Sequence, residues 1–348
     1  MSYTNGLDKP TDYFNTKLYT GNGSSSHAIT GVGFQPDWVW IKRRNDVDSH
    51  FIYDSVRFDG SNAYWLQTNN TNAEGSDRPL TAFGSDGFTI GSNNSGLNAN
   101  SSTYVSWNWL ASNTTASNTD GSITSTVSAN TTSGFSIVSY TGNGTAGATI
   151  GHGLSSQLDV IFIKNRTNAE AWQTYHRPLG ATHHLVLNGN DTAQDNDSRF
   201  NDVHPTSSVF TLGNNDTVNK NTSNFVAYCF HSVKGFSKMG SYTGNGNADG
   251  TFVYTGFKPA FTIIKRTDTA NDWMVGDNKI NPFNVTDNML RANLNNVQQS
   301  GNYVDYLSNG FKPRLSGNAF NGSGGTYIYM AFAENPFVTS TGISTTAR

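Results

Sequence analysis

Acidic side chains are the first candidates for chemistry, because two facing carboxyl groups can cleave a glycosidic bond. No acidic residue recurs in all three of the similar segments that the chain contains: Asp37 and Asp159 are equivalent, but Ala260 stands at the third position. Asp54 is more simply explained as an ion-pair partner of Lys42. We therefore predict no catalytic residue and a protein that is not an enzyme, and we keep a glycan depolymerase as an alternative.

Histidines and aspartates are the candidates for metal binding. His183 and His184 could ligate a metal if several subunits brought the pair to a symmetry axis, but their spacing matches no zinc pattern. Residues 191–202, DTAQDNDSRFND, are rich in oxygen ligands but lack the glycine and final glutamate of an EF-hand loop. We expect a solvated acidic loop there, no metal and no cofactor, and leave calcium binding by this loop open.

Aromatic side chains in surface loops could bind sugars, because a ring face packs well against C–H groups. Five aromatic residues lie in the variable middle of the similar segments: Tyr64, Trp65, Trp172, Tyr175 and Trp273. These five are the candidate glycan contacts. The alternative is that they belong to the core, since the chain has few aliphatic residues.

The elements that must position these residues form a repeated pattern. The pentapeptide YTGNG begins at Tyr19, Tyr140 and Tyr242, and each copy is followed by an Ile-Lys pair. A closing segment starts 85 residues after each tyrosine, from 19 to 104, from 140 to 225 and from 242 to 327. These segments read YVSWNWLA, FVAYCFHS and YIYMAFAE. Equal spacing across dissimilar loops predicts one structural unit that is present three times.

The repeats divide the chain into units of a size that suits a single domain. Residues 112–133 contain almost no large apolar residue, so we expect an extended linker there. The predicted organisation is an N-terminal arm (1–14), a first unit (15–111), the linker (112–133), a second unit (134–234), a third unit (235–337) and a C-terminal tail (338–348).

Composition indicates the fold class and limits the partners. Helix formers are scarce, while turn and strand formers abound, which favours an all-β chain. Short alternating strands separated by turn residues suggest a β-sandwich of the jelly-roll, concanavalin-like type for each unit. The net charge of −3 provides no basic surface for nucleic acid, and no apolar run is long enough for membrane insertion. Cys229 is the only cysteine and no signal peptide precedes the units, so we expect folding in a cytoplasm.

The YTGNG segments themselves have two interpretations. Asn-Gly favours a tight hairpin, because both residues tolerate positive φ. Their equal use beside different loops favours a structural corner over a binding site. The constant spacing further predicts that the first and last strands of a unit are neighbours.

Several motifs of the first unit resemble a domain found in virion structural proteins of tailed bacteriophages, especially marine ones such as cyanophages. The run KLYTGNGSSSHAITGVGFQPDWVWIKRRND (17–46) carries the resemblance, and FIYDSVRFDG, TNNTNAE, LTAFGSDGFTIG and YVSWNWLA follow in the same order. The second and third units match only through YTGNG, the Ile-Lys strand and the closing strand. The resemblance implies a virion component that is made in the host cytoplasm and released by lysis.

The predicted function is therefore a non-enzymatic virion structural protein, a tail fibre or an adhesin-like appendage that contacts host surface polysaccharide. The expected partners are other virion proteins and further copies of the chain, with a homotrimer as one arrangement. The alternative within virions is a capsid decoration or horn protein with an architectural role.

Overall fold

The computed structural model describes residues 6–345 of the protein, and it confirms the all-β class. Strands account for 44% of the structure and helices for 6%. In this part of the chain the strands form three eight-stranded antiparallel sheets and one two-stranded sheet. No helix among the described residues is both long and apolar enough to cross a membrane.

The first sheet is formed by the first unit. Its strands are β1 (Phe14–Thr20), β2 (His27–Thr30), β3 (Trp38–Arg43), β4 (His50–Asp54), β5 (Ala63–Gln67), β6 (Gly75–Gly84), β7 (Gly87–Ile90) and β8 (Thr103–Trp109). The short helix α1 (Ser95–Asn98) and two 3-10 turns, Pro10–Asp12 and Ser55–Arg57, complete this part. The strands lie in the order β1-β8-β3-β4-β5-β6-β7-β2. The sheet is therefore a meander from β3 to β7, flanked by the first, last and second strands.

The second sheet contains a segment that differs from the sequence prediction. Residues 112–133, expected to be a linker, form β9 (Ala116–Asn118) and β10 (Ser125–Asn130). The other strands are β11 (Phe135–Thr141), β12 (Thr149–Gly151), β13 (Val160–Asn165), β14 (Gln173–His176), β15 (His183–Val186), β16 (Gln194–Asp195), β17 (Val209–Thr211) and β18 (Asn224–Phe230). Strand β10 pairs with β11, and β9 pairs with β10. Strand β9 forms the edge of the sheet, and β10 also places Val127 in the core of the second unit.

The rest of the second sheet follows the pattern of the first. Its order is β16-β15-β14-β13-β18-β11-β10-β9, and β12 and β17 pair separately. Helices α2 (Asp197–Phe200) and α3 (Asp216–Asn219) and the 3-10 turn Arg177–Leu179 lie between its strands.

The third sheet repeats the order of the first. Its strands are β19 (Ser237–Thr243), β20 (Val253–Tyr254), β21 (Phe257–Arg266), β22 (Met274–Asp277), β23 (Thr286–Arg291), β24 (Gln299–Leu307), β25 (Gly310–Pro313) and β26 (Thr326–Pro336). They lie in the order β19-β26-β21-β22-β23-β24-β25-β20, which is strand for strand the order of the first sheet.

The predicted neighbourhood of first and last strands is confirmed in all three sheets. The YTGNG tyrosine is directly opposite an aromatic residue of the closing strand: Tyr19↔Tyr104, Tyr140↔Phe225 and Tyr242↔Tyr327. These ring pairs stack with centroids 4.9, 5.1 and 4.9 Å apart. The constant spacing of 85 residues therefore reflects a fixed strand register.

YTGNG is a corner and not a hairpin. In the first and third units it leads from one edge strand of the sheet to the strand at the opposite edge. In the second unit it leads from β11 to β12, which belongs to the separate two-stranded sheet, so the prediction of a tight hairpin is wrong. A buried asparagine holds each copy: Asn98, Asn219 and Asn321 accept the backbone N–H of the YTGNG asparagine at 3.0, 2.9 and 2.9 Å. The last glycine of each copy has φ near +70°, as in Gly144 (φ +70°). Glycine stands there because other L-residues pay a steric cost in this region.

Each sheet has two buried faces. One face encloses the core of its own unit; in the first unit that core contains Val39, Ile41 and Tyr53. The other face contributes to one central core that all three sheets share. Ring pairs join the sheets across it: Trp38–Tyr228 at 4.6 Å, Phe230–Phe332 at 6.0 Å and Trp107–Phe261 at 5.4 Å. The strands read as apolar on both faces for this reason.

The described part of the predicted N-terminal arm does not project from the body. Leu7 is buried in the central core, and Phe14 lies in β1. The side chain of Asp8 accepts the backbone N–H of Ser340 at 2.8 Å, so the predicted arm and the predicted C-terminal tail are in contact. Residues 1–5 and 346–348 of these two segments lie outside the described residues.

Candidate ligand-binding site

The structure corrects three of the five candidate glycan contacts. Trp172, Tyr175 and Trp273 are at most 2% exposed, so no sugar can reach their rings. Trp172 and Trp273 lie in the central core, where their indole Nε1 atoms donate to Gln67 O at 2.8 Å and Val186 O at 3.0 Å. Each bond joins one unit to the next. Trp172 and Trp273 are therefore interface residues, whereas Tyr175 lies in the core of the second unit.

The other two candidates are half-buried on β5. Tyr64 donates its hydroxyl to Asp59 Oδ2 at 3.0 Å. The indole of Trp65 donates to Asp77 Oδ1 at 2.7 Å, and the Arg78 guanidinium lies 5.8 Å from its ring centroid. Both side chains thus reach the surface with polar partners beside them, and both remain candidate glycan contacts.

Backbone hydrogen bonds close the three units into a ring. Glu74 N donates to Arg166 O at 3.0 Å, Ala193 N to Thr267 O at 2.8 Å, and Gln298 N to Arg44 O at 2.9 Å. The acceptors occupy the same position, two residues after the Ile-Lys lysine of each unit. The first unit therefore bonds to the second, the second to the third, and the third back to the first.

Two lysines of the Ile-Lys pairs donate hydrogen bonds across these interfaces. Lys164 Nζ donates to Thr71 O of the first unit at 3.0 Å, and Lys265 Nζ donates to Asn190 O of the second unit at 3.3 Å. Burial lowers the pKa of Lys164 to about 7, and those of Lys42 and Lys265 to about 8. Their amines bind carbonyl oxygens, in contrast to the carboxylate partner that the sequence suggested for Lys42.

A second set of equivalent residues places buried polar side chains at the interfaces between units. Asp54 pairs with Arg57 at 2.6 Å, and not with Lys42, and it also accepts the Tyr228 hydroxyl at 2.6 Å. Both charged side chains are fully buried. These carboxylate contacts are structural, because they fasten the first unit to the second.

The residues equivalent to Asp54 in the other units also contact the next unit. Asp277 accepts from Thr16 Oγ1 at 2.6 Å and from Trp107 Nε1 at 3.0 Å. His176 Nε2 lies 3.1 Å from Tyr329 O. Burial raises the pKa of Asp277 and lowers the pKa of His176 to about 4.

Asp37 and Asp159, the equivalent carboxylates, secure the ends of closing strands. Asp37 Oδ2 accepts the backbone N–H of Ala111 at 2.7 Å, and Asp159 Oδ2 accepts that of Ser232 at 2.7 Å. Burial raises the pKa of Asp37. Their shared position reflects a shared structural task.

The candidate metal ligands do not converge within residues 6–345, where no group of three or more His, Cys, Asp or Glu side chains could hold an ion. His183 and His184 are adjacent on β15, so their side chains point to opposite faces. In the acidic loop, Asn196 caps α2 by accepting the backbone N–H of Ser198.

A cleft of about 380 Å³ lies in the third unit, where β19 and β20, the two edge strands of its sheet, approach each other. Lys238 of β19 donates to Tyr254 O of β20 at 2.7 Å, and its amine lies 5.2 Å from the centroid of the Tyr254 ring. Tyr254 is 51% exposed. The tight turn that joins the second and third units forms another wall, with Ser232 and Lys234 at the cleft.

Comparison with known families covers almost the whole chain. The family model described as "Domain of unknown function (DUF7483)" matches residues 9–336. The chain belongs to this family. The match includes all three units, in agreement with three sheets that share one core. No curated protein and no solved structure matches the chain.

Sequence reasoning missed the cleft of this DUF7483 protein. Lys238 stands four residues before the YTGNG tyrosine, where the first and second units have Asn15 and Ser136. This departure from the repeat pattern was the available signal. The partner residue Tyr254 lies in a poorly matching loop, and its proximity to Lys238 depends on the curvature of the sheet.

Proposed function

We propose that this protein is a non-enzymatic structural component of a phage virion, a tail fibre or adhesin-like appendage that contacts glycans on the host surface. The resemblance of residues 17–111 to virion proteins of tailed phages supports the virion assignment. The acidic side chains that were considered for catalysis make structural contacts, as Asp37 and Asp54 illustrate.

The observation that carries the host-facing part of the proposal is the distribution of exposed aromatic side chains. Among the described residues, seven large hydrophobic side chains are exposed, and three of them are aromatic. All three aromatic residues lie in the third unit: Phe252 at 46%, Tyr254 at 51% and Phe283 at 77% exposure. Exposed rings cost solvation free energy and are typical of binding surfaces. Tyr64 and Trp65 would provide a second contact on the first unit.

The proposal includes the architecture of the repeated unit. We propose three copies of one β-sandwich unit related to a jelly roll. The identical strand orders of the first and third sheets support the repeat, as do the equivalent contacts at the three interfaces. The meander from β3 to β7 departs from an ideal jelly roll, in which the third strand would lie beside the sixth.

Assembly with other virion proteins and formation of a homo-oligomer, such as a trimer, complete the proposal. Light scattering of the purified chain measures the oligomeric state directly. A capsid decoration or horn protein is the alternative within virions, and a glycan depolymerase is the alternative outside the structural class.

The decisive experiment combines location and binding. Immunogold labelling of virions should place the protein on the tail, and labelled recombinant protein should bind host cells until periodate oxidises their surface glycans. Labelling of the capsid without cell binding would favour the decoration protein. Oligosaccharide release from host polysaccharide would favour the depolymerase, and absence of the protein from virions would refute the proposal.

A further inference from the structure

The cleft between β19 and β20 has a local charge opposite to that of the chain. The protein has a net charge of −3, yet the residues that line the cleft include two lysines, Lys234 and Lys238, and no aspartate or glutamate. A concave surface lined by one sign of charge concentrates ions of the other sign. The cleft therefore favours an anion.

The donors in the cleft suit an oxyanion. An ammonium group has three N–H donors, and Lys238 uses one of them for Tyr254 O at 2.7 Å. Ser232 Oγ accepts the backbone N–H of Met239 at 3.1 Å, and its own hydrogen is directed to the weak acceptor Met239 Sδ at 3.5 Å. A carboxylate or phosphate oxygen would be a stronger acceptor for both side chains.

The same cleft presents an aromatic ring. Tyr254 is 51% exposed, and Phe252, two residues earlier, is 46% exposed. A ring beside a charged donor is the combination that a charged sugar needs, because the ring packs against C–H groups while the donor binds the acid.

This chemistry is specific to the third unit. Asn15 of the first unit, equivalent to Lys238, also bonds across the sheet edges, with its Nδ2 donating to Val32 O at 2.8 Å. An uncharged side chain at the position of Lys238 can therefore form the hydrogen bond across the sheet edges. In the second unit, Ser136 occupies the position and β10 covers the edge of β11.

We propose that the cleft at Lys238 and Tyr254 binds an anionic saccharide, a sugar chain that bears carboxylate or phosphate groups. This inference rests on the proposed function, for which it names the site and the ligand class.

The test compares two lysine substitutions that remove the same charge. Lys238→Asn introduces the residue found in the first unit, which can keep the bond across the sheet edges. Lys17→Asn is the matched control, since the Lys17 amine lies beside Gly31 at the corresponding edges of the first unit. Lys238→Asn should weaken binding about tenfold, the value of one charge-assisted hydrogen bond. Lys17→Asn should leave affinity unchanged.

Isothermal titration of the full chain uses three probes: tetragalacturonate with carboxylates, a phosphorylated mannopentaose, and neutral cellotetraose. Either acidic probe should bind more tightly than the neutral one, and affinity should fall as salt rises. Preference for one acidic probe would identify the acid group. Equal affinity for cellotetraose, no binding of either acidic probe, or equal losses in Lys238→Asn and Lys17→Asn would overturn the proposal.

A second variant keeps the test decisive if Lys238→Asn fails to fold by circular dichroism. Tyr254→Leu should weaken the acidic probe several-fold, while Tyr254→Phe should retain binding because the ring persists. Full affinity in Tyr254→Leu would contradict the proposed site.

Host-cell binding distinguishes failure of the proposed cleft site from failure of the proposed function. If Lys238→Asn binds host cells as well as the unmodified protein, the cleft proposal fails while the host-contact function stands. If the unmodified protein does not bind host cells at all, the proposed function fails.

Discussion

Removal of one buried carboxylate should destabilise the whole three-unit ring. Asp54 Oδ2 lies 2.6 Å from Arg57 Nε and accepts the Tyr228 hydroxyl at 2.6 Å, and the side chains of both ions are fully buried. Asp54→Ala removes these two bonds and a third, from the backbone N–H of Arg57 to Asp54 Oδ1 at 2.9 Å, and it leaves the guanidinium in the core. Its other carboxylate contact, Glu74 Oε2 at 3.4 Å, is long. Loss of one partner of a buried ion pair costs about 3–5 kcal/mol of unfolding free energy.

The matched control has the same spacing at the surface. Asp46 and Arg43 also form an Asp/Arg pair three residues apart, at 3.0 Å, but the Asp46 side chain is 57% exposed. Asp46→Ala should therefore cost no more than about 1 kcal/mol. The double substitution Asp54→Leu with Arg57→Met should be less destabilising than Asp54→Ala, because it leaves no unpaired charge.

Urea unfolding, followed by tryptophan fluorescence and by far-UV circular dichroism, measures these differences. Trp38 stacks on Tyr228 across the first interface, so fluorescence reports on the central core. Both signals should shift together in Asp54→Ala, because the residue joins two units. This prediction would be refuted if Asp54→Ala lost an unfolding free energy within about 1 kcal/mol of the loss in Asp46→Ala. Two separate unfolding transitions in Asp54→Ala would also refute it.

Two further predictions concern the corner and the interface lysines. Gly144→Val forces a β-branched residue to φ +70° and should lower the unfolding free energy by about 1–3 kcal/mol in thermal denaturation; unchanged stability would contradict the structural role of YTGNG. Burial lowers the Lys164 pKa to about 7 from 10.5, so above pH 7 the unfolded state binds more protons, and stability should rise between pH 7 and 9. Urea denaturation at both pH values should show a smaller rise for Lys164→Met, and an identical rise in both proteins would count against the lowered pKa.

The burial of the candidate glycan contacts could not be predicted from the sequence. Trp172, Tyr175 and Trp273 lie in variable segments, which typically belong to surface loops. Their sequence neighbours gave no sign that another unit covers Trp172 and Trp273, or that Tyr175 lies in the core of its own unit. Trp172 is buried where its indole N–H donates to the carbonyl of Gln67, which lies 105 positions away in the chain and belongs to the first unit. Only the packing of the units distinguishes such a residue from the half-buried Trp65.

Local pattern was sufficient for several features. Composition and alternation predicted the all-β class, and the constant spacing of YTGNG and the closing segments predicted that the first and last strands pair. The same local reasoning predicted a linker in residues 112–133. It failed there because β10 pairs with β11 and β9 pairs with β10 through backbone hydrogen bonds, which composition does not reveal.

The sequence by itself determined three copies of a strand pattern with apolar residues on both faces. The tertiary structure decided which face meets which partner: Tyr104 lies in the core of its own unit, and Trp107 lies in the core shared by all three. It also decided that Lys238 and Tyr254 form a cleft. Alternation along a strand separates two faces, but the identity of the opposing surface depends on contacts between residues that are far apart in the chain.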